Sequence, residues 1–113
     1  MYKEKRPWGT FEILQTSDAY KIKKITVLPG KRLSLQSHEK RSEHWVIIQG
    51  NGVVTQDNKE TNVSKNSQIF ISVAQKHRIY NTGKDPLIFI EIQTGTYFGE
   101  DDIIRYEDDF NRP

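Results

Sequence analysis

Four polar side chains with the chemistry of metal ligands are spaced along this chain so that β-structure would bring them together. Gln36 and His38 are two residues apart, Glu43 follows five residues after the histidine, and His77 lies further along. Successive side chains of a strand alternate between faces, so Gln36 and His38 share one face and can converge on one ion. A divalent cation takes three or four donors at roughly 2.0–2.2 Å, and imidazole, carboxylate and amide groups are suitable. We therefore predict a metal site inside a small β-barrel, with Gln36, His38, Glu43 and His77 as ligands.

The stretch from Gly30 to Gly50 holds three of these residues and should form two consecutive strands. Strand-like runs cover residues 32–36 and 43–49, and the charged residues 39–42 connect them. We expect this one strand pair to present its ligands to the metal, with the fourth ligand arriving from elsewhere in the chain.

Several other residues in and near this stretch are predicted to be structural. By alternation, His44 faces away from Glu43 and is not a ligand. Trp8 is either a lid over the site or a core residue, and we favour the core. The nearly continuous apolar run is also predicted to be core and consists of Trp45, Val46, Ile47 and Ile48.

Short strand-like segments separated by turn residues continue along most of the chain. Residues 6–9 read as a turn, residues 50–52 are typical of a turn that joins hairpin strands, and no segment has a sustained helical period. The change of apolar parity between Ile22 and Ile25 indicates a bulge or a strand covered on both sides. This pattern predicts an all-β sandwich or barrel, with a tail from residue 95 to 113 that packs on it in a conformation the sequence leaves open. The further predicted strands are 10–14, 20–27, 52–56, 60–63, 68–73, 77–81 and 87–93.

Composition narrows the classes of protein. The 113 residues suit one domain with a modest core. The 17 basic and 15 acidic residues give a net charge of +2, unlike the concentrated basic footprint of a nucleic-acid binder. There is no cysteine, so any metal must be held by nitrogen and oxygen. No segment reads as a signal peptide or a membrane span, and we predict a cytoplasmic protein without nucleic-acid or membrane partners.

The spacing of the candidate ligands resembles a known family. The order Gly30, Gln36, His38, Glu43, Gly50 is similar to the first cupin motif, with glutamine in place of its first histidine. Residues 77–81, a histidine followed by asparagine four positions on, resemble the second motif. The resemblance implies that residues 1–113 form a single cupin domain, a double-stranded β-helix or jelly-roll barrel.

A closer resemblance is to type II mannose-6-phosphate isomerases. In that family the cupin is often the C-terminal part of a longer chain that begins with a GDP-mannose pyrophosphorylase. Only the cupin part is matched, so we expect a stand-alone domain in GDP-mannose biosynthesis and do not carry over the pyrophosphorylase activity. The chain departs from the family at Lys40, usually histidine, and near Ser72 and Ala74, usually proline and glycine. The resemblance is carried by residues 6–9, 33–36, 41–45, 77–79, 90–93 and 99–105.

This resemblance also implies site residues. The arginine of the family's segment at 99–105 is implicated in catalysis, which makes Arg105 the leading catalytic candidate, with Glu100 to orient it or share proton transfer. Arg78, Lys31 and Lys40 are the candidate substrate contacts, since basic side chains anchor a phosphate and the planar fork of arginine suits it best. The general base stays open between an acidic side chain and Lys40.

The implied activity is interconversion of mannose 6-phosphate and fructose 6-phosphate through a cis-enediol, with one divalent ion stabilising the negative charge. Zinc is the expected ion, and manganese, iron, cobalt and nickel remain open. Two alternatives stand beside it: a non-catalytic cupin that binds a sugar phosphate or nucleotide sugar, and a different metallo-cupin enzyme such as an iron-dependent oxygenase. We expect a homodimer, because open sheet edges invite pairing.

Overall fold

The structure is a computed structural model that describes residues 2–110, and it is almost entirely β. No helix in this range is long and apolar enough to cross a membrane. A 3-10 turn, Glu100–Asp102, precedes the last strand. The strands are β1 (Tyr2–Arg6), β2 (Gly9–Thr16), β3 (Tyr20–Val27), β4 (Leu35–His38), β5 (Arg41–Gln49), β6 (Gly52–Gln56), β7 (Lys59–Val63), β8 (Gln68–Ile71), β9 (His77–Asn81), β10 (Leu87–Gly95) and β11 (Ile103–Glu107).

Two antiparallel sheets enclose one apolar core. The six-stranded sheet has the order β1-β2-β3-β10-β5-β8, and the five-stranded sheet has the order β11-β4-β9-β6-β7. Buried side chains from both sheets form a single cluster, for example Trp45 and Phe89 from the first and Val54 and Ile79 from the second. The predicted all-β barrel is therefore confirmed.

Alternation along β5 decides which of its side chains enter the barrel. Trp45 and Ile47 are buried, and His44 is exposed as predicted. The prediction that the whole apolar run is core was wrong at two positions, because Val46 is only half-buried and Ile48 is 46% exposed. Both lie at positions whose side chains face outward.

The predicted pairing of the two strands around Glu39 and Lys40 was also wrong. β4 belongs to the five-stranded sheet and β5 to the six-stranded one, so the two strands lie in different walls of the barrel. The same holds for residues 50–52, which link β5 to β6 across the sheets and do not close a hairpin. These crossings place ligands of consecutive strands opposite each other.

The irregularity predicted near Ile22 is a shift in the partner strand. The pairing of β2 with β3 changes register between Ile13 and Gln15, opposite Lys23 and Ile22. Lys23 is buried on the same side of β3 as Ile25, so a charged side chain takes an inward position.

The two ends of the described chain complete the sheets. β1, which the sequence pattern did not indicate, pairs with β2 around the predicted turn at residues 6–9. The tail packs on the barrel as predicted: β11 pairs with β4, and Phe110 contacts the core. Residues 111–113 of the predicted tail, and Met1, lie outside the described residues.

Candidate metal centre

Three of the four predicted ligands meet inside the barrel. His38 comes from β4, His77 from β9 and Glu43 from β5, so both sheets contribute. Their potential ligand atoms all lie within 4.8 Å of one another, and all three side chains are buried. Two imidazoles and a carboxylate are a donor set that suits a divalent ion.

The hydrogen bonding of His77 leaves one ring nitrogen directed at the centre. Nδ1 lies 2.9 Å from the carbonyl oxygen of Gln75. A carbonyl only accepts, so Nδ1 carries the proton and Nε2 keeps its lone pair. Within residues 2–110, Nε2 is buried without a hydrogen-bond partner. Burial lowers the pKa of His77, and a neutral ring held through Nδ1 is the usual state of a metal-bound histidine.

His38 is also neutral, and Arg41 lies against it. Burial, with the charge of Arg41 next, lowers the pKa of His38 to about 3. Arg41 Nη2 donates to His38 Nε2 at 2.9 Å and Arg41 Nε donates to Glu43 Oε2 at 3.0 Å. The guanidinium thus holds positive charge at two of the donor atoms that an ion would use. The residues fit a divalent ion, provided that the Arg41 side chain leaves these atoms.

The remaining contacts of the centre fix its carboxylate. Trp45 Nε1 donates to Glu43 Oε1 at 3.0 Å, so each oxygen of Glu43 has a defined donor. Gln36, the fourth predicted ligand, is the register partner of His77, and its Oε1 accepts a hydrogen bond of 2.8 Å from Ser34 Oγ. Its role as a ligand stays a prediction.

A cavity of about 80 Å³ lies beside the centre. Gln36 lines it, and the buried core residue Trp8 forms part of its wall. Arg41 lines the cavity and contacts His38 and Glu43, and none of the three ligands is among the lining residues. The charged lining residues are Arg6, Lys23, Arg41, Glu91, Glu100 and Arg105.

Both predicted catalytic residues are at this cavity. Arg105 lies on β11 opposite Gln36. The Glu100 carboxylate forms an ion pair with Lys23 at 2.6 Å. Burial alone would raise the pKa of Glu100, but the charge of Lys23 and its hydrogen bond outweigh this and lower it, so Glu100 is ionised near neutrality.

The three predicted substrate contacts lie elsewhere. Arg78 donates from Nε to the carbonyl oxygen of Leu33 at 2.9 Å and from Nη1 to Glu107 at 3.2 Å. Lys31 and Lys40 are exposed, and none of these three basic residues lines the cavity.

Sequence reasoning missed four charged residues of the site: Arg6, Lys23, Arg41 and Glu91. Burial, followed by the charge of Glu43, raises the pKa of Glu91 to about 7. Arg41 could have been predicted from strand alternation, because it lies two residues before Glu43 on β5 and shares its face. On β3 and β10 apolar residues occupy both faces, which concealed the inward positions of Lys23 and Glu91.

Comparisons with known proteins agree with this architecture. Residues 2–108 match the family model described as mannose-6-phosphate isomerase C-terminal. The alginate biosynthesis protein AlgA of Pseudomonas aeruginosa is 46% identical over 107 residues, which are 95% of this chain and 22% of AlgA. The chain therefore spans about a fifth of the length of such curated relatives.

Two solved structures share the fold at low sequence identity. The capsular polysaccharide assembling protein CapF of Staphylococcus aureus has a TM-score of 0.83 and 21% identity, over 94% of this chain and 34% of CapF. A double-stranded β-helix protein of Klebsiella pneumoniae has a TM-score of 0.75 and 18% identity, over 85% of this chain and 82% of that one. The fold is the predicted cupin barrel, and the chain belongs to the mannose-6-phosphate isomerase C-terminal family.

Proposed function

We propose that this domain interconverts mannose 6-phosphate and fructose 6-phosphate with a divalent ion bound at His38, Glu43 and His77, and with Gln36 as a further ligand. The observation that carries the proposal is the buried set of two neutral imidazoles and one carboxylate beside a cavity lined by charged side chains. Membership of the mannose-6-phosphate isomerase C-terminal family supports the choice of reaction.

A divalent ion held by His38, Glu43 and His77 would supply positive charge that polarises the sugar's carbonyl and hydroxyl oxygens and stabilises negative charge on them. Zinc is the first choice, and manganese, iron, cobalt and nickel suit the same donors. The neutral state of His38 and His77 favours binding, because a protonated imidazole has no lone pair to donate.

The chain's own residues must move a proton between C1 and C2. Glu91 and Glu100 are the carboxylates among the cavity's lining residues, so we place the general base in this pair. Lys40 is exposed and outside the cavity, and it becomes the weaker candidate. Arg105 lines the cavity as a cation, where it would stabilise the negative charge that develops on the cis-enediol.

A coupled assay of the two sugar phosphates tests the reaction. Metal-loaded protein should turn over, chelator should abolish turnover, and re-added metal should restore it. Arg105→Met should lower kcat about 100- to 1000-fold, as is typical when one charge-stabilising donor is removed. Arg32→Met is the matched control, because Arg32 pairs with Asp109 outside the cavity, and it should retain turnover. Protein shown by elemental analysis to hold metal, yet without turnover, would overturn the proposal.

One observation favours a second function, metal-independent binding of a sugar phosphate. Arg41 lines the cavity and is hydrogen-bonded to His38 and Glu43, two of the three ligands. If it stays there, a ligand in the cavity meets a guanidinium and not an ion. This alternative expects mannose 6-phosphate to raise the melting temperature equally with and without chelator, with no isomerisation.

A further inference from the structure

Lys23 is a buried cation that the proposed reaction does not yet use. Its side chain is 5% exposed, and it lines the cavity. Its Nζ lies 4.6 Å from the centre of the Phe11 ring, which shields it from water on that side. Removing an ammonium group from water is costly unless an anion compensates its charge, so Lys23 needs an anionic partner.

That partner is at present Glu100, which bridges two cations of the cavity. One carboxylate oxygen lies 2.6 Å from Lys23 Nζ, and the other lies 3.9 Å from Arg41 Nη2. A bound phosphate would adopt the same arrangement, with two of its oxygens each facing a different cation.

Lys23 and Glu100, the two residues of this ion pair, differ in how strongly the surrounding structure restrains them. Lys23 lies in the middle of β3, between β2 and β10. Glu100 is 43% exposed and belongs to a 3-10 turn in which no residue is buried. The turn is attached by Asp102, which accepts from the backbone of Glu39 and Lys40. Glu100 can therefore rotate into solvent at low cost, whereas Lys23 cannot.

A phosphate group can compete with the Glu100 carboxylate for Lys23 and Arg41. Other carboxylates already pair with two of the lining arginines, Glu4 with Arg6 and Glu43 with Arg41, whereas Glu100 is the ion-pair partner of Lys23. A phosphate monoester carries a charge of about −1.5 to −2 near neutral pH and offers three acceptor oxygens. It would therefore offer Lys23 and Arg41 more negative charge than Glu100 does.

We propose that Lys23 and Arg41 bind the phosphate group of the sugar phosphate, and that this phosphate displaces the carboxylate of Glu100. The identity of the ligand rests on the proposed function. The site replaces Arg78, Lys31 and Lys40 as the phosphate contacts. Glu100 then acts as an internal competitor that occupies the site until the ligand arrives, which leaves Glu91 as the general base of the proposed reaction.

The position of the site suits a short sugar chain. Arg41 Nη2 lies 2.9 Å from His38 Nε2 and 3.9 Å from Glu100 Oε2. The phosphate site and the metal ligands are thus separated by little more than one guanidinium group. An open-chain hexose can span this gap, with C1 and C2 at the centre and the phosphate on C6 at Lys23.

Calorimetric titration with mannose 6-phosphate, inorganic phosphate and mannose tests the proposal without relying on turnover. Lys23→Met should weaken binding of both phosphate ligands about 10- to 100-fold, which is the scale of a lost charged hydrogen bond. Glu100→Gln should tighten it several-fold, because the competing charge is gone. Mannose should bind weakly and equally to all variants. Lys24→Met is the matched control: Lys24 follows Lys23 but pairs with Glu12 at 3.6 Å and is 40% exposed, so binding should not change.

Opposite effects of the two variants separate a binding site from a structural ion pair, which would make both substitutions weaken binding or leave it unchanged. Either of these results overturns the inference. If Lys23→Met does not fold, Glu100→Gln decides alone, because Lys23 is intact in it. If the ligands bind as expected but no isomerisation occurs, the proposed reaction is wrong and the phosphate site stands. If the protein isomerises the sugar phosphates and Lys23→Met leaves KM unchanged, the phosphate site is wrong and the reaction stands.

Discussion

Replacing Arg41 by methionine should both destabilise the metal-free protein and strengthen metal binding. Arg41 is 3% exposed in its side chain and Glu43 is 2% exposed. Methionine retains much of the apolar length but none of the charge, so Arg41→Met removes the cation that faces Glu43 and His38 without emptying the site.

The size of the loss follows from the burial of the pair. Removing one partner of a fully buried ion pair typically costs about 3–5 kcal/mol, because the other charge stays behind. Glu43 keeps its hydrogen bond from Trp45 Nε1 but loses the charged donor. With a urea m-value of about 1–3 kcal/mol/M, the unfolding midpoint should fall by about 1–5 M.

Metal should reverse this loss in the variant more than it helps the wild type. An ion at a concentration about 1000-fold above its Kd stabilises a protein by about 4 kcal/mol. In the wild type the ion must displace Arg41, which reduces the net stabilisation, whereas in Arg41→Met the donor atoms are already open. Urea titrations with chelator and with Zn²⁺ measure both effects, and Arg32→Met, an exposed ion-pair residue, should shift stability by less than about 1 kcal/mol.

Two results would refute this reasoning. A metal-free Arg41→Met protein as stable as the wild type would mean that the buried charges do not depend on Arg41. A variant that gains no more from Zn²⁺ than the wild type would mean that the ion does not use the atoms that Arg41 now occupies.

Two further predictions concern pH and a buried amide. Burial lowers the pKa of His38 to about 3 and also lowers that of His77, and burial raises the pKa of Glu91 to about 7. Between about pH 4.5 and 6.5 the unfolded chain binds a proton on each of these two histidines, whereas the folded chain binds the Glu91 proton. The unfolded state therefore binds up to one proton more than the folded state. The free energy of unfolding of the metal-free protein should then rise with pH by up to about 1.4 kcal/mol per unit. Glu91→Gln should increase this slope by up to about 1.4 kcal/mol per unit in urea titrations at several pH values, and a slope that stays the same would contradict the assignment. Asn81 donates from its side chain to the carbonyl oxygen of Val27 at 2.8 Å, so Asn81→Asp should cost about 3 kcal/mol or more by leaving a buried carboxylate against a carbonyl, and an unchanged melting temperature would disprove it.

Local pattern predicted most strands correctly. β3, β6 and β9 have the bounds expected from turn residues and β-branched runs, because strand geometry and turn conformation depend on neighbours in sequence. Motif spacing also identified His38, Glu43 and His77, which the structure brings within 4.8 Å of one another.

Local sequence pattern did not predict which strands pair with each other. β4 and β5 are separated by two residues yet lie in different sheets. Turn residues indicate where the chain reverses, but the packing of the two sheets decides whether the next strand pairs or crosses over. The tail shows the same limit. Strand β11 begins with two isoleucines and has no strict alternation, and its pairing with β4 was not predicted.

The sequence by itself predicted an all-β barrel from its strand and turn pattern, and the resemblance of its motifs to the cupin family indicated the residues of the buried centre. Only the tertiary structure decided which charges surround that centre. Lys23 and Glu91 lie on strands whose two faces are both apolar in part, and Glu100 lies on a tail without a clear pattern. Closure of the barrel turned the first two inward, and pairing of β11 with β4 placed Glu100 beside Lys23.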